Sequence, residues 1–212
     1  MDNNNRRPLK VRSLGIFQTL ARKLSKTAIT PNQISLLSIA FAAVAAVCFW
    51  MLAQGGCVLW FLGVALGIQL RLICNLLDGM VAVEGGKSTK SGELFNDIPD
   101  RMADPLILVS AGYATQLAWG IELGWAAGLF AVMTAYIRTL ATSMGAPADF
   151  RGPMAKQQRM AVLTVAAVLS LLEPWFWAGH WVLFYALILI IIGSIWTAIR
   201  RTLAAYQYLE AR

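Results

Sequence analysis

The feature that most constrains this chain is a series of apolar runs long enough to cross a lipid bilayer. The first opens near Gln33 and continues to Ala53. A helix needs about 20 such residues to span a hydrocarbon core about 30 Å thick. In lipid every backbone N–H and C=O must be paired within the protein, so only helices or a closed barrel can span it. No strand pattern is present, and the expectation is an all-α, polytopic membrane protein. Six transmembrane helices are expected, at roughly 33–53, 58–83, 94–117, 121–145, 158–175 and 180–204. Thr30-Pro31 reads as an N-cap followed by proline at the first helical position. Gly55-Gly56 reads as a tight turn, and Glu173-Pro174 as the end of the fifth span. Composition agrees. Of 212 residues, 58% are hydrophobic and 14% charged, against roughly 45–50% and about 25% in a soluble domain.

The basic residues set the expected topology. Arg6, Arg7, Lys10, Arg12, Arg22, Lys23 and Lys26 precede the first span. Lys87 and Lys90 lie between the second and third, Arg151, Lys156 and Arg159 between the fourth and fifth, and Arg200, Arg201 and Arg212 close the chain. The alternate loops, near 54–57, 118–120 and 176–179, contain no lysine or arginine. The positive-inside rule then puts both termini in the cytoplasm. Membrane topology accounts for the net charge of +7, so no nucleic-acid partner is expected. Residues 13–28 differ from the spans. Phe17, Leu20, Ala21, Leu24 and Ala28 share one helical stripe while Arg22, Lys23 and Lys26 lie off it. That pattern fits an N-terminal amphipathic helix lying in the interface on anionic lipid, or a plain basic flank. The expected domains are a cytoplasmic basic segment over 1–29 and a six-helix membrane domain over 30–212. The first apolar run is too long for a signal-peptide core. Cys48, Cys57 and Cys74 suggest no disulfide framework. His180, the one histidine, reads as an interfacial polar residue.

The acids are unevenly placed. Of eleven, six fall between Asn75 and Asp104: Asp78, Glu84, Glu93, Asp97, Asp100 and Asp104. Asn75 and Asp78 lie near the cytoplasmic end of the second span. Asn96, Asp97, Asp100 and Asp104 lie near the same end of the third. Asn75 and Asp78 share a face, as do Asn96, Asp100 and Asp104. Two antiparallel helices would bring these faces together as an acidic pocket open to the cytoplasm. A carboxylate at the centre of a membrane helix costs about 2.5–3.5 kcal/mol on insertion scales, so positive charge must meet it. Arg71 and Arg101 can supply part. An oxygen-rich remainder suits Mg²⁺ or Mn²⁺, and the lack of histidines and thiolates disfavours zinc. The other reading is an interhelical salt-bridge network, with Asp97–Arg101 as an i,i+4 pair. Gly79 and Ala82 leave room for a ligand or for a neighbouring helix.

This segment resembles the signature of the CDP-alcohol phosphatidyltransferase family, D-x2-D-G-x2-A-R-x8-G-x3-D-x3-D. Here it reads Asn75-x2-Asp78-Gly79-x2-Ala82-Val83-x8-Gly92-x3-Asn96-x3-Asp100, matching five of eight positions with every spacing kept. The resemblance implies an integral membrane enzyme, in a bacterial inner membrane, with its active site facing the cytoplasm. CDP-diacylglycerol would be bound at Asp78, Gly79, Ala82 and Gly92, with its diphosphate on two ions of Mg²⁺ or Mn²⁺ held by Asn75, Asp78, Asn96 and Asp100. An alcohol would attack the lipid phosphorus, CMP would leave, and Asp100 would accept the hydroxyl proton. A homodimer is also implied.

The chain departs from the pattern at Asn75, Asn96 and Val83. Asparagine can ligate through its carbonyl oxygen but brings no charge. Asp104 lies one turn beyond Asp100, so a shifted set, with Asp100 a ligand and Asp104 the base, is the alternative. Arg71 or Lys87 could supply the charge of the missing arginine. The expected acceptor-binding residues are Arg138, Lys156, Arg159 and Arg151, which fit a phosphorylated polyol among other alcohols. Arg138 stands out because it lies within an apolar stretch. Two rival functions follow from the same residues: an inactive family member, and a transporter using the acidic pocket as a cation site.

Overall fold

The structure, a computed structural model, describes residues 15–87, 89, 91–177 and 179–211. The expectations for residues 1–14, Lys90 and Arg212 fall outside the described residues. Seven α-helices follow one another: α1 (Gly15–Ser25), α2 (Pro31–Ala53), α3 (Trp60–Glu84), α4 (Gly92–Ala114), α5 (Gly120–Ser143), α6 (Lys156–Ser170) and α7 (Trp181–Glu210), with a 3-10 turn at Glu173–Trp175. No strand occurs among the described residues.

α2, α3, α5 and α7 are long and apolar enough to cross a membrane. α4 has the length but carries Glu93, Asp97, Asp100, Arg101 and Asp104. α6 has 15 residues, or about 22 Å at 1.5 Å per residue, less than a hydrocarbon core. All six helices sit in one bundle: α2 packs on α3 and α4, α4 on α5, α5 on α7, and α6 on α3 and α7. α1 packs on α3, with Ala21 fully buried and Phe17 and Leu24 against Leu77, Met80 and Val81.

Local chemistry sets the helix ends. Thr30 caps α2: its hydroxyl accepts from the Gln33 N–H, and the Gln33 side chain accepts from the Thr30 N–H. This reciprocal box satisfies two donors that a helix start leaves open. Gln116 does the converse at the other end of α2, donating to the Leu52 and Ala53 carbonyls. Gly112 and Gly124 let α4 and α5 touch backbone to backbone; a Cβ on Gly112 would lie 2.8 Å from the Gly124 Cα.

The expected fifth span of 158–175 is corrected to α6, ending at Ser170. Glu173 is why the helix stops early. Its buried carboxylate turns inward, accepting from the Val182 N–H at 2.6 Å and the Trp177 indole at 3.3 Å. His180 lies 3.6 Å from the same carboxylate. Trp175, Phe176 and Trp177 remain exposed around this turn.

Candidate active site

The opposite end of the bundle is polar. Arg71, Asn75 and Asp78 lie at i, i+4 and i+7 on α3, so they share a face. Asp100 and Asp104 are one turn apart on α4. Pro99 and Pro105 lie inside that helix, each removing one ladder hydrogen bond beside the acidic face. α6 begins here with Lys156, and Arg159 is one turn inside it.

These residues form one network. Arg71, fully buried, reaches Asp100 Oδ1 at 3.0 Å and Asp104 Oδ1 at 2.6 Å through Nη2. Lys156 Nζ lies 2.6 Å from Asp100 Oδ2, and the Asn75 amide donates to Asp100 Oδ1 at 3.0 Å. Arg159 Nη2 donates to Asp104 Oδ2 at 2.8 Å, while its Nη1 donates to the Met154 carbonyl and Thr134 Oγ1. Asp78 accepts from Ser35 Oγ at 2.6 Å and from the Gly79 N–H, and it lies within the fields of Asp100 and Lys156. Three buried carboxylates thus meet three cations. Such a network offsets the desolvation of its members only when nearly all their polar atoms are engaged. Arg71 keeps Nε and Nη1 without a hydrogen-bond partner.

The structure distributes the expected residues unevenly. Asn75, Asp78 and Asp100 converge. Asn96 is exposed, one turn before Asp100 but off the buried face. Asp104 is 2% exposed and has both oxygens against guanidinium groups. Gly79 borders open space: a Cβ there would meet nothing within 4 Å. Val83, where the signature has arginine, is exposed. Lys87 does not replace that arginine; it donates to the Thr27 and Ile29 carbonyls beyond α1. Arg71 is the cation that reaches the acids.

The donor set fits one hard divalent cation and not two. No group of three or more His, Cys, Asp or Glu side chains placed to hold a metal occurs among the described residues. Asp78 and Asp100 are the two carboxylates at signature positions, and Asn75 is the neutral oxygen beside them.

A second set of basic residues lines a cavity of about 130 Å³ between α5, α7 and the 144–155 loop, with Arg138, Asp149, Arg151, Arg201 and Tyr208 in its wall. Asp97 grips Arg138 Nη2 at 3.0 and 2.8 Å, closer than its i,i+4 contact with Arg101 at 3.4 Å. Arg138 also lies over the Phe150 ring at 5.2 Å, a cation–π distance. Arg151 chelates Asp149 through Nε, Nη2 and its own N–H. Partial burial pushes the Asp149 carboxyl up, but these bonds outweigh it and hold it below the ordinary value. Arg201 ties the loop down, donating to the Arg151 carbonyl at 3.0 Å and to the Thr134 carbonyl at 2.7 Å. Arg159, expected with the acceptor residues, is 2% exposed and engaged with Asp104. The Asp97–Arg138 and Ser35–Asp78 bonds join residues 41 and 43 positions apart, beyond the reach of any spacing rule.

No family model matches the chain. Phosphatidylinositol phosphate synthase of Mycolicibacterium smegmatis is 26% identical over 195 residues, covering 87% of this chain and 83% of that protein. Inner membrane protein YnbA of Escherichia coli is 24% identical over 196 residues, covering 88% and 90%. Among solved structures, phosphatidylinositol phosphate synthase of Mycobacterium tuberculosis with CDP-DAG bound superposes with a TM-score of 0.74 at 18% identity, over 90% of this chain and 94% of that one. The same enzyme in complex with manganese and citrate gives 0.74 at 18% identity, over 90% and 88%. With four apolar helices of spanning length, the chain is an integral membrane protein. It shares the fold of phosphatidylinositol phosphate synthase, and its likenesses in sequence and structure support a place in the CDP-alcohol phosphatidyltransferase family.

Proposed function

We propose that this chain transfers the phosphatidyl group of CDP-diacylglycerol to an alcohol and releases CMP, at the polar end of the bundle. The convergence of Asn75, Asp78 and Asp100 from two helices, beside the open space at Gly79, carries the reading. Likeness to a structure with CDP-DAG bound supports it, and a manganese complex of the same neighbour supports a divalent cation. Asp78 and Asp100, with the Asn75 carbonyl turned toward them, would hold that cation, which supplies positive charge to the diphosphate. The family pattern implies two ions.

The remaining roles fall to the protein. Ser35 Oγ and the Gly79 N–H fix the Asp78 carboxylate from the side away from Asp100. The alcohol oxygen attacks the phosphorus that bears diacylglycerol. The bond from that phosphorus to the CMP oxygen breaks, CMP leaves with the electron pair, and Asp100 takes the hydroxyl proton. Asp104 is poorly disposed for that task because both its oxygens already accept from arginine. The acceptor enters by the cavity beside Arg138 and Arg151. Guanidinium groups around a small cavity suit an anionic group, so the acceptor is a phosphorylated polyol. All six long helices span the membrane, α4 and α6 shielded by the other four. α1 lies in the interface, both termini and the site face the cytoplasm, and the chain works as a homodimer.

The test is lipid product analysis with purified protein, CDP-diacylglycerol, Mn²⁺ and a panel of free and phosphorylated alcohols. The expected result is CMP release with a new phosphodiester lipid, abolished by chelator and restored by Mg²⁺ or Mn²⁺. Full activity in chelator overturns the metal role. No CMP with any acceptor favours an inactive member or a cation transporter.

A further inference from the structure

A lysine is an odd residue to open a helix. The first turn carries the positive end of the helix dipole and favours acids, yet α6 begins with Lys156. What holds it there is Asp100, 2.6 Å from its ammonium, with Asp78 also in its field. The lysine therefore sits where the family signature expects a metal ion to be drawn.

Charge explains why it is tolerated. The signature's four aspartates carry four negative charges, which two divalent ions balance. Here Asn75 and Asn96 stand at two of those positions, removing two negative charges, the charge of one divalent ion. The structure removes the same pair as ligands: Asn96 is exposed, and Asn75 turns its amide N–H to Asp100. Asp104 cannot substitute, because Arg71 and Arg159 already take both its oxygens. The two carboxylates left balance a single divalent ion, and Lys156 adds one protein cation beside it.

We propose that Lys156 takes the place of one of the two cations, so that this chain loads one divalent ion at Asp78 and Asp100 and meets the diphosphate with one metal and one ammonium. The proposal rests on the reading of the site as a phosphatidyltransferase centre. Lys156 is thereby a positioning residue for the substrate diphosphate, distinct from the arginines around the 130 Å³ cavity.

The experiment counts ions without turnover. The full chain is purified in detergent, stripped with chelator and titrated with Mn²⁺, and free Mn²⁺ is read by its electron paramagnetic resonance signal. The wild type should saturate at one Mn²⁺ per chain. Lys156→Gln removes a like charge beside the ion and should tighten Mn²⁺ binding by at least about tenfold, whereas Lys156→Arg, which keeps the charge, should stay within about threefold of the wild type. Two ions per wild-type chain, or none, overturns the proposal. So does a folded Lys156→Gln protein, checked by circular dichroism, with unchanged affinity. If that variant does not fold, the wild-type stoichiometry decides alone. CMP release is scored separately. A two-ion chain that releases CMP sinks this inference and leaves the transferase reading standing; a one-ion chain that never releases CMP does the reverse.

Discussion

Asp104→Asn separates a frame from a catalyst at the same helical face. Asp104 is 2% exposed and bridges Arg71 and Arg159, whose side chains are 0% and 2% exposed. Removing one partner of a buried ion pair costs about 3–5 kcal/mol, because the other charge is left buried without compensation. Here two guanidinium groups lose their common anion and also repel each other. Asparagine keeps one acceptor oxygen, which lowers the cost toward about 3 kcal/mol. For a chain of this size each kcal/mol shifts Tm by about 2–4 °C, so the expected fall is roughly 6–12 °C. The assay is thermal unfolding in detergent, followed by tryptophan fluorescence at one fixed scan rate, since unfolding of such proteins is commonly irreversible. Excess Mn²⁺ should restore little of the loss, because Asp104 is not offered to a metal. Asp100→Asn should behave differently, with a smaller thermal change and a kcat lower by about 10²–10⁴, the range for a lost general base. An Asp104→Asn protein melting within about 2 °C of the wild type but lacking turnover would refute this assignment and put Asp104 in the chemistry.

Arg138→Ala should raise KM for a phosphorylated acceptor about ten- to a hundredfold, the cost of a charge-assisted contact, with little change for CDP-diacylglycerol; equal effects on both substrates would count against the acceptor cavity. Burial pushes the His180 imidazole below its ordinary 6.5, with Glu173 opposing. The folded state then binds fewer protons than the unfolded one, so stability should fall as pH drops below 6.5. His180→Gln should flatten that slope in pH-dependent melting, and an unaltered slope would assign it elsewhere.

The spans were legible because lipid leaves a chain so few options: a 20-residue apolar run has to be a helix, and the helices begin and end near the expected positions. The Thr30-Pro31 start was legible for the same kind of local reason. The α6 end was not, because Glu173 acts through Val182 and Trp177, which it meets only after the chain turns back. At the polar end, the convergence of Asn75, Asp78 and Asp100 follows from spacing and depth alone, and Arg71 from its place one turn before Asn75. The acid partners from other helices do not follow. Nothing local distinguishes Arg159, which enters the Asp104 frame, from Arg151, which stays on the surface beside Asp149. Only packing tells apart two arginines eight residues from each other. Lys156 had two readings, acceptor contact or basic flank, and its bond to Asp100 matches neither.

The mooring of the 144–155 loop has a consequence for how the protein is made. Its holds are on α7: Arg201 grips the Arg151 carbonyl, and Thr197 Oγ1 accepts from the Met154 N–H at 3.0 Å. Both residues lie in the last third of the last helix, so they leave the ribosome long after the loop they fasten. A nascent chain can have its first five long helices inserted and its acids already paired, and still lack a shaped wall beside Arg138. The acceptor cavity is thus the last part to mature, and a chain cut before Thr197 would keep the place for the lipid substrate while losing the place for the alcohol.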